Sequence, residues 1–389
     1  MQVQVLYYTF MKKASEIIET IAGFPRFPSE ERLSRVSAYL EKLGNPHLNL
    51  KFVHVTGTNG KGSTCSMLAS VLQKSGFKVG LFTSPHIFDW QERVQINGEN
   101  IRNDQIESHG VPILDFEVGV FEAWFLLAMS VFAAEKVDIV VLEAGIGGRL
   151  DTTNVIPSPE VSVITNVGLE HTEVLGDSLE KIALDKAGIV KGSTLVTGIE
   201  NSEVLAVLPK HRVVHCEGGF QEKNKALAKE VIQVLRERGW EINESSIEEG
   251  LHAAALPIRM EVLNEEPFVL ADGAHNLDGV RAMKAELPFA TKGHRYLLMG
   301  VSADKDYEKM VPLLADGMDT VVISEASFHA ASAEELAEFV PGAVVVPDLK
   351  EACSWVMNRI KKADQLYILG SLYFAADAVS ELSKSSFLQ

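Results

Sequence analysis

Cysteine is scarce in this sequence. Cys65, Cys216 and Cys353 are the only three in 389 residues, and none forms a CxxC or Cys/His ligand spacing. Neither a disulfide scaffold nor a zinc site is therefore suggested, and a reducing cytoplasm fits best. No apolar run approaches membrane-spanning length. The apolar start MQVQVLYYTF has no preceding cations and is followed by Lys12 and Lys13, the reverse of signal-peptide order. Met1 and Met11 are both compatible with a translation start. Internal repeats and low-complexity tracts are missing. Cations are in deficit, 36 Lys+Arg against 53 Asp+Glu, for a formal net charge of -17. Nonspecific attraction to nucleic acid or to an anionic membrane is thereby disfavoured, and an anionic substrate must be held locally.

What is present is an ordinary globular composition, 46% hydrophobic and 23% charged, in a chain long enough for two cores. SEIIETIAGF and SEERLSRVSAYLEKL carry apolar residues at helical spacing. Each opens on a serine suited to capping, Ser15 and Ser29, which predicts two leading helices. KFVHVTG then reads as a strand, followed by a glycine-rich turn and a helix closed by Gly76. FKVGLFTS, VDIVVLEAG and VSVITNVG are further β-branched runs alternating with helical segments, the pattern of a mostly parallel sheet covered on both faces. From about Pro257 the alternation restarts with FVLADG, RYLLMGVS, TVVISEA, AVVVPD and LYILGSL. The expected fold is α/β in two domains. Residues 1–256 would form a P-loop-type mononucleotide-binding domain and 267–389 a smaller doubly wound, Rossmann-like domain. The Pro- and Glu-rich stretch 257–266 would link them beside a cleft.

The strongest local signal is Gly57, Thr58, Asn59, Gly60, Lys61, Gly62, Ser63, which follows a strand and opens a helix. Glycines let backbone N–H groups approach phosphate, and Lys61 adds a cation. The spacing is not a strict Walker A. A bound nucleoside triphosphate needs a hard cation, and Glu143, at the end of VDIVVLE, sits where the carboxyl edge of the sheet would place a ligand. A strand-end glutamate is otherwise a solvated charge. His171 follows another strand, and Lys186 lies on a helix, each with a bland structural alternative. ADGAHN puts Asp272, His275 and Asn276 within one turn, readable as an Asp-Gly turn and a cap or as a functional cluster.

Taken in order, GTNGKGS, TSPHIF with QERVQING, EAGIGGRLDTTN, ITNVGLEHT with DKAGIVK, DGAHN and GSLY resemble the folylpolyglutamate synthase and dihydrofolate synthase family of the Mur ligase superfamily. The resemblance runs from the leading helices to the last strand. It implies ATP as cosubstrate and two Mg2+ sites. Ser84 and Glu143 would hold one metal and His171 the second. Lys186, matching a lysine carbamylated in relatives, would support the second site with its added carboxylate. Lys61 would hold the β- and γ-phosphates, Asn224 of FQEKNKALA would contact the nucleotide, and Arg259 and Asp272 would complete that site. His275 and Ser371 match positions implicated in activity. Phe116, Glu117 and Asp151 are implied at the folate or pterin end.

This chain departs from the family pattern at three places. It has Pro257, Ile258, Arg259 where relatives read PGR. Leu277 stands where a proline usually follows DGAHN, and the stretch between Ile101 and Phe116 is shorter, with DFE for the commoner TFFE. These leave the phosphate chemistry intact and the choice of dihydropteroate, reduced folate or both open.

The resemblance implies transfer of the ATP γ-phosphoryl group to a substrate carboxylate, then attack of the L-glutamate amine on the acyl phosphate, by a protein expected to act as a monomer. A ligase acting on cell-wall nucleotide precursors would carry a further amino-terminal domain, and here only two helices precede Gly57. A nucleotide-binding switch without ligase activity would leave DGAHN and GSLY unexplained.

Overall fold

In this computed structural model, residues 12–25, 32–288 and 293–384 are described. Met1, Met11 and Ser29 lie outside that set. The chain divides into two units, Met1–Ala255 and Leu256–Gln389.

In the first unit the β-branched runs become strands β1 (Phe52–Thr56), β2 (Val79–Phe82), β5 (Ile139–Glu143) and β6 (Val161–Ile164). They are joined by β3 (Val94–Ile96), β4 (Glu99–Asn100), β7 (Thr194–Thr197) and β8 (His211–Val213). Their order in the sheet is β4-β3-β2-β5-β1-β6-β7-β8. Neighbours from β2 to β8 run parallel, while β3 pairs antiparallel with β2 and with β4. Every residue of β1 and β5 is buried, as central strands covered on both faces require.

The helix Val120–Ala134 is apolar all round rather than on one stripe, which marks a helix enclosed by protein. It shares a core with Ile17, Ile21, Val36, Leu40, Phe52 and Phe82, between the sheet and the leading helices. Its buried charge, Glu122, is paired with Arg35 at 2.9 Å and accepts from the Gly119 backbone N–H at 2.9 Å, so the carboxylate is not left uncompensated.

The first leading helix spans Ala14–Ala22 with Lys13 at its N-cap, so Ser15 sits inside the first turn instead of capping it. Glu16 takes over the capping task by accepting from the Lys13 backbone N–H at 3.3 Å.

The second unit holds β9 (Glu261–Glu265), β10 (Phe268–Ala271), β11 (Arg295–Met299), β12 (Thr320–Ile323), β13 (Val344–Val345) and β14 (Gln365–Leu369). They lie in the order β13-β12-β11-β14-β10-β9. All pairs are parallel except β9 with β10. The stretch 257–266, expected as a linker, thus contributes an antiparallel edge strand to the second unit. Its polar composition is what an edge strand with one wet face tolerates. Leu270, Leu297, Met299, Val311, Ile323 and Leu369 form the core of this unit. In each sheet the parallel strands end at one common edge, which is where α/β folds bind ligands. Among the described residues no helix is long and apolar enough to cross a membrane.

Candidate active site

The turn after β1 is a built phosphate loop. Gly60 is the N-cap of the helix Lys61–Lys74 and adopts a left-handed φ of 81°, which glycine reaches without strain. A Cβ there would lie 2.5 Å from Asn224 Oδ1. Asn224, on the helix Phe220–Glu237, is therefore seated directly against the loop. The turn after β6 clamps the other side. Asn166 Oδ1 accepts from the Asn59 N–H at 2.7 Å, Thr165 Oγ1 donates to the Asn59 carbonyl at 2.6 Å, and the Gly168 N–H donates to Thr58 Oγ1 at 3.0 Å. Lys61 Nζ donates to the carbonyls of Gly57 and Thr58, at 2.9 and 3.1 Å, which holds the cation at the loop. Free N–H groups of a helix start beside a fixed ammonium make an anion site. Sequence reasoning missed Thr165 and Asn166. Their signal was position, at the end of the strand beside β1.

Glu143, the last residue of β5, is buried, and its Oε2 accepts from the Ser84 N–H at 3.1 Å. The same oxygen lies 3.7 Å from where a Cβ on Gly62 would stand. A carboxylate so placed beside a phosphate loop is a hard donor suited to Mg2+, and the bond from its own N–H keeps Ser84 next to it. Lys61 and Ser63 flank Gly62 in the same turn.

Lys186 is 2% exposed, on the helix Leu179–Ala187. Burial first, then the charge of Lys61, push its amine down to about 7, against the pull of Glu170, Asp185 and Asp151. His171 sits at the N-cap of the short helix Thr172–Leu175, with Nε2 3.6 Å from Glu170 Oε1. Glu170 was not anticipated, yet it bears on both His171 and Lys186. Among the described residues no three His, Cys, Asp or Glu side chains converge as a metal cluster.

Asp151 is buried and fully engaged by the protein. Oδ2 accepts from the Gly145 and Ile146 N–H groups at 3.0 and 2.9 Å, and Oδ1 accepts from Thr153 N at 2.9 Å and Thr153 Oγ1 at 2.5 Å. His54 Nε2 lies 2.7 Å from the same Thr153 hydroxyl. Since that hydroxyl donates to Asp151, it accepts from His54. The carboxylate thus shapes the AGIGG turn after β5. Burial raises its pKa, against the hydrogen bonds from Thr153 and Ile146.

Phe116 and Glu117 are set by a leading helix, Arg32–Lys42. The Phe116 ring stacks on Tyr39 at 4.1 Å, Lys42 Nζ lies over both rings, and the Glu117 N–H donates to Tyr39 Oη at 2.9 Å. The Glu117 residue is exposed.

In the second unit the turn after β10 gathers its own cluster. Asp272 is buried, and its two oxygens accept from Met260 N and Ala274 N, both at 2.8 Å. Burial raises its pKa, and the nearby Arg259 charge opposes that. His275 Nδ1 lies 2.9 Å from the Gly273 carbonyl, so this nitrogen carries the proton. Ser371 is buried and accepts from the Phe374 N–H at 3.1 Å, capping the helix Leu372–Ser383. Its hydroxyl thus helps to fix the turn after β14.

A phosphate loop beside a buried carboxylate, in an α/β unit followed by a second α/β unit, fits a nucleotide-dependent ligase of the Mur type. The model of the Mur ligase middle domain matches residues 55–259, and that of the Mur ligase glutamate ligase domain matches 258–372. Folylpolyglutamate synthase of Lacticaseibacillus casei is 31% identical over 93% of this chain and 97% of its own length. Among solved structures, E. coli FolC in complex with DHPP and ADP is 26% identical with a TM-score of 0.84, covering 96% of this chain and 98% of that one. The bifunctional folylpolyglutamate synthase/dihydrofolate synthase of Yersinia pestis, complexed with AMPPNP and a Mn ion, gives 26%, 0.83, 96% and 98%. The chain belongs to the folylpolyglutamate synthase and dihydrofolate synthase family of the Mur ligases.

Proposed function

We infer that this protein is an ATP-dependent ligase that joins L-glutamate to the carboxylate of a folate or dihydropteroate, releasing ADP and phosphate. The observation that carries the reading is the carboxylate of Glu143 set beside Gly62 of the phosphate loop and bonded to Ser84. Solved relatives in complex with DHPP and ADP, with AMPPNP and Mn, and with AMPPCP and folate support a nucleotide, a divalent metal and a folate-type acceptor.

The substrate carboxylate attacks the γ-phosphorus, ADP leaves, and an acyl phosphate forms. Lys61 and the loop N–H groups hold the phosphoryl oxygens and offset the charge that develops on them. Glu143 and Ser84 would hold the first Mg2+. His171 and a carbamylated Lys186 would hold the second, with Glu170 beside them. Bound Mg2+ supplies further neutralisation of phosphate charge. The glutamate amine then adds to the acyl carbon, loses a proton, and phosphate leaves as the amide closes.

Asn224 borders the nucleotide at the loop. Arg259 and Asp272 are assigned to the nucleotide by the family pattern, and His275 lies in the same turn as Asp272. Residues 1–256 would thus carry the ATP loop and the metal ligands, and 267–389 the remaining ligase machinery. Phe116 and Glu117 are assigned to the pterin end. Asp151 and Ser371 act through the turns they hold. A monomer is proposed, and a cytoplasmic setting agrees with three unbridged cysteines, two of them buried.

The test is phosphate release by purified protein with Mg2+, ATP and glutamate, comparing dihydropteroate, tetrahydrofolate and no acceptor, beside Lys61→Ala. Release that needs glutamate and either acceptor, and is lost in the variant, supports the ligase and identifies its acceptor. Release indifferent to every acceptor overturns it.

A further inference from the structure

Two non-glycine residues around Arg259 occupy the left-handed region, Ile258 at φ 54° and Met260 at φ 53°. Side chains disfavour this conformation, β-branched ones such as isoleucine most of all. Strained backbone persists only where its surroundings over-determine it. Here three hydrogen bonds do so. Glu261 Oε2 accepts from the Ile258 N–H at 2.8 Å, the Gly273 N–H donates to the Ile258 carbonyl at 3.0 Å, and Asp272 Oδ2 accepts from the Met260 N–H at 2.8 Å. Between these fixed peptides stands Arg259. Its Nη1 is 3.0 Å from where a Cβ on Gly273 would be, so the guanidinium lies over bare backbone. Glu261 opens β9 and is paired with Ala271, which anchors its carboxylate beside the turn.

We propose that Glu261 is a positioning residue: its carboxylate locks the left-handed Ile258 peptide and so presents the Arg259 guanidinium, over Gly273, to the nucleotide. This rests on Arg259 being a nucleotide-binding residue. Glu261 works as a hydrogen-bond acceptor and not as a charge, so a glutamine oxygen can replace it. Its importance comes from the isoleucine, because a glycine at 258 enters the left-handed region without help.

The experiment measures KM for ATP and for glutamate, with kcat, in the full chain and in E261A, E261Q, R259A, I258G and I258G/E261A, with far-UV circular dichroism to establish folding. E261A should raise KM for ATP about ten-fold, the size of a left-handed backbone penalty, with KM for glutamate unchanged. E261Q should stay within about two-fold of the parent, and E261A should cost I258G less than about two-fold, since the lock is then redundant. If E261A does not fold, the E261Q and I258G pairs carry the comparison. Equal damage in E261Q and E261A, or the same loss from E261A in the parent and in the I258G background, overturns the positioning role while leaving Arg259 as assigned. An unchanged KM for ATP in R259A overturns the Arg259 reading, and the positioning role with it.

Discussion

The charge of Lys61 bears on Lys186: burial lowers the Lys186 amine first, and the Lys61 ammonium adds to it, bringing the amine to about 7. An ordinary lysine, near 10.4, has almost no free base at neutral pH, whereas a lowered one offers more of the neutral amine that adds carbon dioxide. Protein equilibrated with 13C-bicarbonate is expected to show a carbamate carbonyl resonance that Lys186→Ala abolishes. The same variant should lose about 100-fold or more in phosphate release, the scale of a lost metal-site group. A signal that survives the substitution would place the carbamate elsewhere.

Glu143→Gln keeps an oxygen for the Ser84 N–H, removes the charge and puts an NH2 in place of the second oxygen. Stability should hold, while kcat/KM falls by about two orders of magnitude and the Mg2+ concentration needed for half activity rises. A magnesium titration of both proteins reads this, and an unchanged midpoint with full activity would remove Glu143 from the metal site.

His54 is wholly buried and its pKa is held down to about 3, by burial first and then by Lys191. The folded state therefore prefers neutral imidazole, and the unfolded chain takes up the proton below about 6.5. Stability from this group is complete above 6.5 and is lost as pH falls toward 3, by about 2 kcal/mol at pH 5. Urea midpoints from pH 7 to 5 should drop less steeply in His54→Gln than in the parent. Parallel slopes would count against the buried neutral histidine.

Asp151→Asn separates a turn-shaping role from a substrate contact. An amide cannot accept all four hydrogen bonds and turns an N–H group toward backbone donors. Unfolding free energy should fall by about 2–3 kcal/mol. A variant as stable as the parent but with a raised KM for the acceptor would instead put Asp151 at the pterin end.

The central strands and the phosphate loop were legible because each rests on a local pattern: β-branched runs for β1, β5 and β6, and glycines with lysine for the loop. The strands that escaped notice, β3, β4, β7, β8 and β9, have two to five residues with polar members, too short for periodicity to speak. Residues 257–266 read as a linker because proline and glutamate look alike in a linker and in a wet edge strand. In the site, Lys61, Glu143 and Asn224 were recognisable by motif, and the structure sets them around one turn. Thr165, Glu170 and the His54–Thr153–Asp151 chain were not. His54 and Thr153 are 99 residues apart, and their bond exists only once β1 and the turn after β5 are neighbours. Ser371 was named from GSLY by resemblance alone, and its capping of the helix Leu372–Ser383 became visible only in the fold.

The first sheet finishes on one side in β4, the two exposed residues Glu99 and Asn100, and on the other in β8, the three residues His211, Arg212 and Val213. Such brief, polar margins offer a passing chain few unpaired N–H and C=O groups in a row, and a carboxylate or guanidinium must be desolvated to use them. A sheet whose interior strands are almost wholly apolar is in this way kept from recruiting copies of itself at high concentration.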